Sequence, residues 1–173
     1  MWPLLLQLAL ILVNAFFACA EIAVISMNDN KMARMAAMGD KRAIRLEELT
    51  KQPARFLSTI QVGITLAGFF ASAFAAENFS DYLVNWLVNL GITVSPQTLN
   101  TLAVVFITLI LSYFTLVLGE LVPKRIAMRH AEKMALSMSG TVYFIAKLFH
   151  PVVWLLTNST NWVLRLLGID PNA

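Results

Sequence analysis

The sequence predicts an all-α membrane protein, with three transmembrane helices followed by juxtamembrane helices on the cytoplasmic side. Three observations predict it. Hydrophobic residues make up 58% of the 173-residue chain and mean hydropathy is +0.70, which exceeds what a soluble domain of this size buries. Three stretches, about 3–27, 57–76 and 99–118, reach the roughly 20 apolar residues that a helix needs to cross hydrocarbon. The basic residues gather in the connections on one side only.

The first run, Pro3 to Met27, has no basic segment ahead of it and outlasts the core of about 7–15 residues of a cleaved signal peptide. It reads as a retained span. Lys31, Arg34, Lys41, Arg42, Arg45, Lys51 and Arg55 separate it from the second run, whereas the connection 77–97 contains neither Lys nor Arg. The positive-inside rule therefore places the first loop in the cytoplasm and the amino terminus outside. Lys124, Arg125, Arg129 and Lys133 follow the third run and fall on the same side, as three crossings require. The expectation is a multi-pass protein of the plasma membrane with a cytoplasmic carboxyl terminus.

Residues 82–92, with Tyr82 and Trp86, read as a short interfacial helix on the outside. The apolar region 134–167 is divided by Lys147, His150 and Pro151 into pieces of about 13 and 16 residues, each short for a crossing. Two juxtamembrane helices, lying along or partly entering the inner leaflet, are expected there in preference to a fourth span. Residues 169–173 look like the start of a linker to a further, cytoplasmic domain.

Polar residues recur at helical spacing inside every span. The first aligns Asn14, Ala18 and Glu21, the second Gln61, Thr65, Gly68 and Ser72, the third Thr108, Ser112, Thr115 and Gly119. Small and hydroxylated residues of this kind commonly serve helix packing, and the stripes are expected to face inward. The carboxylates are a different matter. Glu21 lies about 9 Å, and Glu120 about 6 Å, above the cytoplasmic ends of their spans, at 1.5 Å per residue. No Lys or Arg lies deeper in any span, so each carboxylate needs a cation, a proton or a basic partner. For Glu120 that partner could be Lys124, one helical turn on. For Glu21 the nearest basic residue along the chain is Lys31, ten positions away.

The segment Gly119-Glu120-Leu121-Val122-Pro123-Lys124 sets a helix-breaking proline beside a carboxylate. Pro123 removes one helical hydrogen bond and frees a carbonyl about four residues earlier, at Gly119. Glu21, Glu120, the Gly119 carbonyl and the Ser26 hydroxyl form an all-oxygen candidate metal site, suited to a hard cation such as Mg²⁺. Gln61, Gly63, Thr65, Asn14 and Thr115 are candidate lining residues. Ser26 is offset five residues from Glu21, on another face of the helix.

At these residues the chain resembles the membrane domain of the CNNM/CorC magnesium transporter family, whose bacterial members have been called hemolysin-like. The resemblance rests on Asn14 to Ser26, on Ile60 to Leu66 and on Gly119 to Lys124. It implies three spans, a cytoplasmic belt of juxtamembrane helices, a homodimer formed through the membrane domain and a following pair of cytoplasmic CBS modules. It also implies Mg²⁺ export or sodium-coupled Mg²⁺ transport, with Glu120, Gly119 and Ser26 matching the family's cation ligands. Ala18 stands where many relatives have serine, and Ile64 where the magnesium-transporting branch often has asparagine. Glu21 adds a negative charge where relatives can have a neutral amide. Some hemolysin-like relatives with this pattern are linked to polyamine export, so an organic cation competes with Mg²⁺ as cargo. A non-transporting membrane anchor for a regulatory domain is the other alternative.

Other classes are not expected. A lone Cys19 excludes a disulfide scaffold. His130 and His150 lie near no recognisable nucleophile, so no enzyme is expected, and the basic residues flank spans and form no stripe for nucleic acid.

Overall fold

A computed structural model describes residues 1–172 of the chain; of the expected linker start at 169–173, the last residue lies outside that range. The chain forms α1 (Trp2–Ile25), α2 (Asp29–Ala37), α3 (Lys41–Thr50), α4 (Pro53–Asn89) and α5 (Pro96–Leu116). A five-residue π-helical turn, Val117–Leu121, then leads into α6 (Val122–Arg129), α7 (Ala131–Leu148) and α8 (His150–Leu166). Among the described residues there is no strand.

Local chemistry sets the helix boundaries. Prolines occupy the first turns of α1, α4 and α5, where their missing N–H costs nothing. The Asn28 side chain accepts the Lys31 N–H at 3.1 Å to cap α2. Asp40 does the same for α3, accepting the Arg42 N–H at 2.9 Å. Arg42 also donates from its guanidinium to Asp40, and this pairing holds the Asp40 carboxyl below the usual carboxylate range. Gly39 and Gly91 close α2 and α4 at φ 88° and 83°, left-handed conformations that glycine adopts without strain.

Three continuous helical stretches, Trp2–Ile25, Pro53–Asn89 and Pro96–Arg129, are long and apolar enough to cross a membrane. They make this an all-α membrane protein. The second differs from the sequence expectation. Residues 82–92 do not form a separate helix, because no glycine or proline interrupts the chain between Gly68 and Gly91 and α4 simply continues to Asn89. Its 37 residues span about 55 Å at 1.5 Å each, against a hydrocarbon core of about 30 Å. Glu77 and Asp81, both exposed, lie on this extension. The third stretch is likewise unbroken at Pro123, which sits in the first turn of α6 just after the π-helical turn. Helices α7 and α8 meet at an angle of 64°.

Helix α1 is the hub, packing against α4, the π-helical turn, α6 and α7. The α1 to α4 contact is close because Gly63 leaves room for the Phe17 ring: a Cβ at residue 63 would lie 2.5 Å from it. Ala67, Ala71 and Ala75 extend the same buried face at four-residue intervals, letting backbones approach where hydrophobic driving force is absent. The core lies at the basic end of the bundle. There Phe17, Ala20, Ala23 and Val24 of α1 meet Leu46 of α3, Phe56 and Ile60 of α4, and Ala135 and Val142 of α7. Helix α5 buries only Leu99 and Ala103. Leu4, Leu8, Phe69, Phe70, Phe106 and Leu109 are exposed, an apolar exterior matched to lipid.

Candidate functional site

Asn14 and Glu21 lie seven residues apart on α1, two turns along one face. Opposite them the third span has its π-helical turn, with one extra residue per turn that re-aims the backbone. The Gly119 carbonyl, left free by the altered ladder, accepts from Asn14 Nδ2 at 3.0 Å. Four residues on, the Pro123 carbonyl accepts from Cys19 Sγ at 3.3 Å. The contacts advance in the same direction on both partners, so α1 and the third span run parallel through the membrane.

Glu21 and Glu120 converge on one cation, and it is part of the protein. Lys124 Nζ lies 3.3 Å from Glu21 Oε2 and 3.3 Å from Glu120 Oε1. The side chains are 24%, 31% and 27% exposed for Glu21, Glu120 and Lys124. For Glu120 this is the alternative partner that the sequence offered; for Glu21, whose nearest basic residue along the chain is Lys31, the partner is Lys124 from another helix. Lys124 reaches Glu120 along its own helix, as i, i+4 spacing allows, and Glu21 across the α1 to α6 contact. Two carboxylates and one ammonium leave the cluster with a formal charge of −1.

Other expected site residues fall in different places. Thr115 is half-buried and its Oγ1 has no partner. Ser26 is exposed at the carboxyl cap of α1, more than a turn beyond Glu21. Gln61 is exposed and donates to Thr65 within α4 at 3.1 Å. The stripe Gln61, Thr65, Gly68 and Ser72 is not the buried face of α4; Gly63, Ala67, Ala71 and Ala75 are. Small side chains, rather than polar ones, decide which face packs. Gly63, expected to line the site, packs against the Phe17 ring. Ser112 donates to the Thr108 carbonyl of its own helix at 2.6 Å.

Of the buried polar residues that the sequence analysis does not single out, Gln7, Thr59, Ser80 and Ser139, Gln7 lies on the face of the candidate site. Gln7 is 7% exposed, and neither its Nε2 nor its Oε1 has a partner. Its position seven residues before Asn14 was the available signal, since Gln7, Asn14 and Glu21 share a face. Among the described residues no three His, Cys, Asp or Glu side chains cluster as metal ligands. A metal at Glu21 and Glu120 would draw its remaining ligands from carbonyls or water.

The family profile described as "Cyclin M transmembrane N-terminal domain" matches residues 5–173. The chain belongs to the CNNM family. Among curated relatives of this CNNM-family domain, UPF0053 protein sll0260 of Synechocystis is 34% identical over 160 residues, 92% of this chain and 35% of the relative. The polyamine export protein of Haemophilus influenzae is 30% identical over 164 residues, 94% of this chain and 37% of the relative. The UPF0053 inner membrane protein YfjD of Escherichia coli is 29% identical over 157 residues, 91% and 33% of the two chains. The CNNM-family domain thus spans about a third of the length of these relatives.

Proposed function

We propose that this CNNM-family domain carries cations across the membrane, with Glu21 and Glu120 as the binding carboxylates and Lys124 as a tethered counterion that the cargo displaces. The observation that supports this reading is the Lys124 ammonium held at 3.3 Å from both carboxylates. Carboxylates from two different elements thus already share one cationic partner. When Lys124 withdraws, the pair carries −2 and matches Mg²⁺, which keeps several waters and needs few protein ligands. The Gly119 carbonyl has a second lone pair beyond the one taken by Asn14, and Na⁺ is the coupling ion that the family likeness suggests. In the same reading the basic end of the bundle is cytoplasmic, the amino terminus is outside, and the protein sits in the plasma membrane. Two copies pair through their membrane helices, and a CBS-pair domain follows. Isothermal titration of the intact protein with Mg²⁺ tests the site. Glu120→Gln and Glu21→Gln should each weaken binding at least about tenfold, the worth of a charge-assisted contact. Unchanged affinity in both would remove the pair from the transport path and leave a membrane anchor.

A polyamine is the second reading, and a specific feature favours it. The group seated between the carboxylates is itself a primary ammonium, the functional group at a polyamine terminus, and one relative is named a polyamine export protein. Proteoliposome flux separates the two: putrescine that competes with Mg²⁺ for transport supports an organic cation, and putrescine without effect excludes it.

A further inference from the structure

A second charged cluster lies away from the carboxylate pair, where α3, α4, α7 and α8 meet at the basic end of the bundle. It surrounds a cavity of ≈ 300 Å³. Leu49, Phe56 and Val153 supply its apolar lining, and Lys51, Arg55, Lys147 and His150 its polar lining. Glu48 is its only carboxylate, and that group already accepts the Tyr143 hydroxyl at 3.1 Å. Lys147 Nζ stands 4.5 Å from the centre of the Tyr143 ring. Arg55 donates to Gln52 Oε1 at 3.0 Å and contacts His150 Nε2; a guanidinium has no acceptor, so the imidazole nitrogen accepts. Three permanent cations and one carboxylate leave the cavity with a formal charge of +2. Among the described residues none of Lys51, Arg55 and Lys147 makes a salt bridge.

We propose that this cavity binds the phosphate group of an anionic phospholipid from the adjacent leaflet. A forked guanidinium flanked by two ammonium groups suits phosphate oxygens, and basic pockets between membrane helices are a recurring headgroup site. The surroundings select a lipid over a free phosphate. Leu57, Phe144, Leu148, Trp154 and Leu155, each one or two positions along the chain from a lining residue, are all exposed and would offer acyl chains an apolar surface. The 64° bend between α7 and α8 falls at Phe149, just before the cavity residue His150, so a bound headgroup would hold α8 against the start of α4.

The test is native mass spectrometry of the intact protein released from nanodiscs that contain phosphatidylglycerol and phosphatidylcholine in equal amounts. Wild type should retain phosphatidylglycerol preferentially. Arg55→Gln with Lys147→Gln should lower that retention at least about 25-fold, taking about fivefold per basic residue at a membrane surface. Arg34→Gln removes a charge from exposed α2 and should change nothing; an equal loss there would reduce the effect to net charge and overturn the site. Equal retention of both lipids, or no response to the double variant, would also overturn it. Inorganic phosphate at 10 mM, roughly ten-thousandfold above a micromolar site, distinguishes the sources. Lipid that stays bound supports the proposal, and lipid that phosphate displaces assigns the cavity to a soluble anion instead. A control melting curve keeps the outcome readable: a double variant that melts with wild type yet keeps its lipid refutes the assignment.

Discussion

Replacing Lys124 with methionine isolates the ammonium from the packing of its stem. Each pair at 3.3 Å has a gross attraction of about 5 kcal/mol at an effective dielectric of about 20. Most of it is offset by desolvation, and the three side chains keep between 24% and 31% exposure. The net contribution then falls between an exposed pair and a buried one, about 1–3 kcal/mol. For a chain of this length that is about 2–4 °C of melting temperature per kcal/mol, so K124M should melt about 2–12 °C below wild type in cation-free buffer. The informative arm is rescue. With Lys124 gone the two carboxylates carry −2, and a cation that binds there restores stability by about 2.7 kcal/mol at one hundred times its dissociation constant. Melting followed by tryptophan fluorescence, with Mg²⁺ and putrescine titrated separately, reads this directly. K124M should respond to its cation at lower concentration than wild type, and the response should vanish when Glu21→Gln and Glu120→Gln are added. A K124M protein that loses stability and regains none with either cation would refute the tethered-counterion argument.

Three further perturbations follow from the packing. Gly63→Ala places a methyl group 2.5 Å from Phe17 and should cost about 1–3 kcal/mol through overpacking, seen as a lower melting temperature with the carboxylate cluster intact. Asn14→Leu strips the Gly119 carbonyl of its partner; it should destabilise by about 1–3 kcal/mol and accelerate amide exchange in 117–121. The third concerns pH. The Asp40 carboxyl is held low by Arg42, so its capping contribution is full above the ordinary value of about 3.9. It fades as pH falls through the lowered one. Amide exchange in α3 should quicken below about pH 4 relative to α2 in the wild type, and Asp40→Asn should remove that difference.

The three spans were legible because a bilayer imposes one requirement, an apolar run of sufficient length, and the sequence answers it at three places. Helix ends were less legible. Hydropathy marks where hydrocarbon stops, whereas a helix stops where glycine or proline ends its ladder, and α4 meets no such residue before Gly91. The inward face of α4 was misread for a related reason: polarity was followed, but close approach is set by Gly63 and the alanines that continue its row. At the site, the freed Gly119 carbonyl could be anticipated from Pro123, and Asn14 was among the candidates. Lys124 as partner of Glu21 could not be anticipated. Neighbours along the chain say nothing about a contact made by packing, and the hydrogen bonds that set this register join residues 105 and 104 positions apart.

That register also explains why one lysine can serve two carboxylates. Asn14 to Gly119 and Cys19 to Pro123 pin α1 to the third span on either side of Glu120, which is itself part of the π-helical turn. Glu21 is then within reach of the same ammonium that Glu120 meets along its own helix. The two hydrogen bonds involve no charge, whereas the ion pairs would be the contacts that an external cation displaces on the proposed reading. Cation occupancy would therefore change the contact between α1 and α6, and on the proposed reading binding at the carboxylates would be felt at the basic end of the bundle. That is the end at which α2, α3 and α7 assemble around α1. On the proposed reading, a metal or ammonium arriving there would compete with Lys124 for the two carboxylates, and the strength of that competition would set the affinity.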